Sequence, residues 1–115
     1  MNYDNDFWKA IDTLVFSGRI VIDRSKGSTH PRFPSIKYEL DYGYIENTSS
    51  MDGDGIDVWR GSLSESTVNA VICTVDLIKR DSEIKLLIGC TEEEIEQVYE
   101  FHNSTEYMKG LLIRR

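Results

Sequence analysis

Three carboxylates fall within six positions of "SSMDGDGIDVW" (residues 49–59): Asp52, Asp54 and Asp57, with Gly53 and Gly55 between them. Like charges this close raise one another's pKa unless they share a cation. The glycines leave the backbone free to turn all three carboxylates toward one point. Oxygen ligands without histidine or cysteine suit Mg²⁺ or Mn²⁺ rather than zinc. A calcium EF-hand is excluded. Counting from Asp52, Ile56, Asp57 and Leu63 stand where that loop needs an oxygen ligand, a glycine and a glutamate. The plain alternative is a solvated turn, because Asp and Gly both favour turns.

The flanking sequence predicts what holds this loop. Residues 4–16 read as a helix with Asp4 or Asp6 as cap and Phe7, Ile11, Leu14 and Val15 on one face; Gly18 ends it. "RIVID" (19–23) reads as a short strand and "RSKGSTHPRFP" (24–34) as a loop. "IKYEL" (36–40) alternates like a strand, and "DYGYIEN" continues it toward the Asp loop. "IDVWRGSL" leaves the loop as a strand, and "VNAVICTVDLI" (68–78) is apolar enough to be buried on both faces. "KRDSE" turns the chain and "IKLLIGC" returns it as a hairpin arm. "TEEEIEQVYEFHN" opens with a capping box, Thr91 and Glu94, and turns Ile95, Val98, Tyr99 and His102 to its apolar side. His102 reads there as a half-buried packing residue. "LLIRR" fits either a last strand or a frayed end. The expectation is a mainly β, α+β fold: a small five-stranded OB-like barrel between an N-terminal and a C-terminal helix, one domain over residues 1–115.

With 115 residues, the chain can bury roughly 65% of its unfolded surface. A formal charge of −7 and a pI near 4.7 argue against a nucleic-acid partner, which is held through clustered Lys and Arg. A small phosphate ligand stays compatible if divalent ions invert the local charge. No apolar run approaches the roughly 20 residues that span a bilayer. The N-terminus is acidic where a signal peptide is basic, so the expected location is cytoplasmic, with no membrane partner. Cys73 and Cys90 stand singly in apolar runs and read as buried, reduced side chains.

"DYGYIENTSSMDGDGIDV" (41–58) resembles the signature of family I soluble inorganic pyrophosphatases: a Tyr-Gly-Tyr/Phe strand, a short loop and Asp-Gly-Asp-x-x-Asp-Val. The spacing from Tyr42 to Asp52 and the position of Tyr38 agree with it. The resemblance implies hydrolysis of pyrophosphate to two phosphates with Mg²⁺, for which Mn²⁺ can substitute. It makes Asp52 and Asp57 metal ligands and Asp54 the general base, with Tyr42 hydrogen-bonding close by. "EIK" resembles the family's later acid-x-Lys segment, with Glu83 in place of a metal-binding aspartate and Lys85 on a phosphate. Asp81 resembles a further metal-binding turn aspartate. For the phosphate-binding arginine two registers stay open, Arg24 in "VIDR" and Arg32. The family's C-terminal helix carries a Tyr-Lys pair for phosphate where this chain has His102-Asn103, and its central hairpin is largely missing here. Another organic or nucleotide diphosphate as substrate, or a non-catalytic binding module, are the alternatives, and the resemblance is compatible with a homo-oligomer.

Overall fold

The computed structural model describes residues 3–50 and 53–115. Its elements are α1 (Tyr3–Phe16), β1 (Ile20–Arg24), β2 (Asp41–Ile45), β3 (Ile56–Arg60), β4 (Val68–Asp76), β5 (Asp81–Ile88), α2 (Glu92–Asn103) and β6 (Met108–Arg114). The strands form one sheet in the order β1-β2-β3-β5-β4-β6. Neighbours run antiparallel except β3 and β5, which are parallel with Val58 beside Leu86 and Trp59 beside Leu87. The class is as expected, mostly strand with two helices. The sheet has six strands rather than five and is not closed: β1 and β6 are its ends.

Because strand residues alternate, the sheet has two faces. On one, Tyr38, Leu40, Trp59, Ala70, Ile72 and Leu87 pack with Ile95 and Val98 of α2. On the other, Ile45, Val58, Val71, Leu86 and Ile88 pack with Trp8 and Val15 of α1. The face of α1 is therefore set by Trp8, Ile11 and Val15, whereas Phe7 is exposed. Trp8 has the larger apolar surface to bury, and its ring also receives the Arg115 guanidinium at 5.6 Å.

Three local devices shape the surroundings of the Asp loop. Gly43 on β2 lies so close to β1 that a Cβ there would run into the Val21 carbonyl, and β1 shifts register between Ile22 and Arg24 at this point. "IKYEL" does not join the sheet. Its backbone is spent inside the loop, with Gly27 N–H donating to Tyr38 O, Tyr38 N–H to Ser28 O and His30 N–H to Ile36 O. Across the loop mouth, Thr48 Oγ1 accepts from Ile56 N at 2.9 Å and donates to Ile45 O at 2.7 Å.

The capping box of α2 is present: Thr91 Oγ1 accepts from Glu94 N, and Glu94 Oε1 accepts from Thr91 N. At the far end of α2, the Asn103 amide reaches β6. Its Oδ1 accepts from Gly110 N at 3.1 Å and its Nδ2 donates to Gly110 O at 3.2 Å. Residues 111–114 of "LLIRR" thus belong to a strand and not to a frayed end. Cys73 and Cys90 are free thiols, Cys90 buried and Cys73 partly so. Burial pushes the Cys90 thiol up to about 12. Among the described residues no helix is long and apolar enough to cross a membrane.

Candidate active site

Strand register brings the site together. Tyr42 on β2 lies opposite Trp59 on β3, one position before Trp59 on that face is Asp57, and β5 runs alongside with Glu83 and Lys85 on the same side. Lys85 is the centre of the cluster. Its ammonium donates to Asp57 Oδ2 at 2.7 Å, to Tyr42 Oη at 3.0 Å and to Glu83 Oε2 at 3.1 Å. Three donor hydrogens meet three acceptors, which a buried ammonium requires. The Tyr42 hydroxyl in turn donates to Asp57 Oδ2 at 2.6 Å. Lys85 and Glu83 are buried, Asp57 is half-exposed and opens the cluster to solvent.

Burial alone would pull the Lys85 pKa down, but the Tyr42 oxygen and the Asp57 carboxylate outweigh it and hold Lys85 well above the ordinary lysine value. Burial pushes the Tyr42 phenol up, Lys85 opposes this and Asp57 adds to it; the phenol stays protonated and keeps its donor role. One ammonium serves two carboxylates. Glu83 Oε1 is buried and has no hydrogen-bond partner among the described residues. An orphaned carboxylate oxygen costs on the order of 1–3 kcal/mol or more unless something cationic or protic meets it. The donor set of Asp57 and Glu83, all oxygen and short of positive charge, fits a hard divalent ion. Among the described residues no three acidic, histidine or cysteine side chains converge for a metal. Asp52, the expected third ligand, lies outside the described residues.

The remaining candidates are spread around this centre. Asp54 is exposed on the loop beside Gly53, whose φ of 85° needs a glycine, and the Asp54 carbonyl accepts from Ser50 N at 2.7 Å. Asp81 starts β5 on the face of Glu83 and pairs with Lys79 at 3.5 Å. Arg24 ends β1 opposite Tyr42, and its guanidinium hydrogen-bonds Tyr38, which with the Tyr42 and Asp23 side chains holds its pKa up against burial. Arg32 is exposed in the loop, with its backbone N–H on His30 Nδ1 at 3.0 Å. Geometry thus ties Arg24 to the cluster through the tyrosines and leaves Arg32 on the loop.

One group in contact with this cluster has no local sequence signal. Trp59 packs edge-on against Tyr42 with ring centres 4.6 Å apart, and its indole N–H donates to His102 Nε2 at 3.0 Å. The two residues of that bond are 43 positions apart. His102 is buried rather than half-buried, and Asn103 turns to β6, so neither stands at the cluster. Burial, with the Lys85 charge adding to it, pushes the His102 imidazole down to about 3. Two open clefts among the described residues, lined by residues such as Asp12, Arg19, Glu92 and Arg115, hold no member of the cluster.

The family model for inorganic pyrophosphatase matches residues 8–80, more than half of the chain. The chain belongs to the inorganic pyrophosphatase family. Membership assigns it to the inorganic diphosphatases, hydrolases of the phosphoanhydride bond. Solved structures agree in fold. An inorganic pyrophosphatase from Neisseria gonorrhoeae is 20% identical, with a TM-score of 0.63 over 78% of this chain and 77% of that one. One from Helicobacter pylori is 15% identical, with a TM-score of 0.61 over 84% and 83%. An inorganic phosphatase from Anaplasma phagocytophilum is 15% identical, with a TM-score of 0.56 over 83% and 81%. A comparison with curated protein sequences yields no match. For this pyrophosphatase the family match ends before Glu83 and Lys85; those two are joined to the signature by the parallel pairing of β3 with β5.

Proposed function

We propose that this protein hydrolyses inorganic pyrophosphate to two phosphates in a Mg²⁺-dependent reaction at the Asp57–Lys85–Glu83–Tyr42 cluster. The observation that carries the reading is the carboxylate pair, Glu83 buried and Asp57 half-exposed, that shares a single ammonium and leaves Glu83 Oε1 unmatched. Asp57 and Glu83, with Asp52 and with Asp81 at the start of β5, would hold the divalent ions. Bound there, Mg²⁺ would neutralise phosphoryl oxygens and acidify a water.

The chain's own residues supply the rest. Asp54, solvent-facing on its glycine-flanked loop, takes the proton from the attacking water. The Lys85 ammonium is kept charged by its surroundings, and Arg24 stands across Tyr42 from it; together they bind and orient phosphate oxygens, Arg24 as a bidentate fork. Arg32 would serve as a second, loop-borne contact. Tyr42 fixes Asp57 through its 2.6 Å hydrogen bond. The same reading carries a cytoplasmic setting, no nucleic-acid or membrane partner, a single domain, and assembly from more than one copy.

Because His102 and Asn103 are turned away from the cluster, a larger organic diphosphate is the second reading. Phosphate release from pyrophosphate, measured with and without Mg²⁺, tests the first. Wild type is expected to release phosphate only with the metal, and Asp54→Asn to lose roughly 10²-fold or more in kcat. Absence of metal-dependent release from pyrophosphate overturns it. Faster turnover of an organic diphosphate in the same assay favours the second reading, and Mg²⁺ binding without any hydrolysis leaves only a binding module.

A further inference from the structure

We infer that His102 is a positioning residue for the reaction, acting on Tyr42 through Trp59. The inference rests on the proposed pyrophosphatase site, since it is Tyr42 that holds Asp57 there.

Trp59 is almost wholly buried, and its indole nitrogen can only donate. His102 Nε2 must therefore accept, which puts the imidazole proton on Nδ1, 3.3 Å from Met108 Sδ. The histidine is thus fixed at both nitrogens, and the two rings cross at 77° with centres 5.6 Å apart. The bond sets how the indole lies in its pocket. The indole edge in turn is the surface on which the Tyr42 ring rests, at 4.6 Å and 66°. Tyr42 and Trp59 are direct cross-strand partners, so a rotated indole displaces the tyrosine rather than empty space. The tyrosine hydroxyl donates to Asp57 Oδ2 and accepts from Lys85. One line of contacts thus runs from the α2 helix to the carboxylate that opens the site. Leucine at position 102 would leave a buried indole N–H without an acceptor, and the ring would turn to find one.

The conservative control is His102→Gln, whose amide oxygen stands near the place of Nε2 and can accept from the indole. The disruptive variant is His102→Leu, with His102→Met in its place if Leu fails to fold. Two measurements are made on each folded protein: the Tyr42 ring resonances in ¹³C-tyrosine-labelled protein, and kcat and KM for pyrophosphate. Leu or Met is expected to move the Tyr42 signals and lower kcat roughly tenfold, with KM changed less than kcat, as follows from a small misplacement near reacting groups. Gln is expected to restore both. Unmoved Tyr42 resonances in a folded Leu or Met variant overturn the inference, as does a shifted Tyr42 with unchanged kcat, or a Gln variant as impaired as Leu. A wild type with no activity on pyrophosphate sinks the proposed function instead, and the Tyr42 signals still decide whether His102 acts on Tyr42.

Discussion

The two faces of the sheet differ by a single step along each strand. On β3, Asp57 faces the site and Val58 the apolar layer under α1; on β5, Lys85 faces the site and Leu86 that same layer. On the α1 side the buried groups need only fit. On the α2 side a lysine, two acids and a tyrosine are held by short, directed bonds among aromatic rings. Apolar packing tolerates small shifts of volume, whereas the polar side is all-or-none: each group is stable only while its partner is present. The same backbone thus provides a rigid support and, one residue away, a cluster whose charges are fixed before any ligand arrives.

Exchanging the two chemistries gives the largest effect. Val58→Asp would bury an unpaired carboxylate against Ile45 and Leu86 and should cost about 4 kcal/mol or more, read as loss of the folded state in urea titration. A Val58→Asp variant as stable as wild type would mean that the α1 face is wetter than its packing indicates. Lys85→Met, on the polar side, leaves Asp57 and Glu83 facing each other. It should cost about 3 kcal/mol of stability. It should also lower kcat/KM by roughly 10²-fold. Added Mn²⁺ should return part of that stability, visible as a rise in Tm larger than in wild type; no difference between the two would count against a cation seat between the acids.

Tyr42→Phe keeps the ring and removes one donor and acceptor, so the expected loss is smaller, about 2 kcal/mol, from the hydrogen bonds to charged partners. The remaining effect is in pH dependence and builds up gradually with acid. His102 titrates at about 3 in the fold and near 6.5 unfolded, so between these values only the unfolded chain takes up the proton. Its contribution to stability is complete above pH 6.5 and falls by about 1.4 kcal/mol per unit as pH drops toward 3. Urea midpoints at pH 7 and 4.5 should diverge more for wild type than for His102→Gln, which has no such proton to gain.

What could be read in advance followed the range of the forces. The capping box at Thr91 and Glu94 is satisfied within one helical turn, and the apolar run of β4 pairs on both sides, so both were legible from neighbours in sequence. Asp57 and Tyr42 were legible through a motif with fixed spacing, and Lys85 and Glu83 through their likeness to a second one. Trp8, rather than Phe7, packs in the core and meets Arg115 from the far end of the chain, and "IKYEL" is held out of the sheet by backbone donors at Gly27 and His30 and an acceptor at Ser28. The bond from Trp59 to His102 joins two elements that no local pattern connects. The position of Arg24 opposite Tyr42 likewise follows only from the placement of β1 against β2.

The Asn103 carboxamide on Gly110 has a consequence for the sheet's open margin. Along β6 the amide satisfies both peptide groups of that residue from the side that faces away from β4. A foreign strand pairing at Gly110 would have to break two good bonds there, so lateral growth into fibrils is discouraged at this residue. One side chain at a helix end thus covers part of one border of an unfinished sheet.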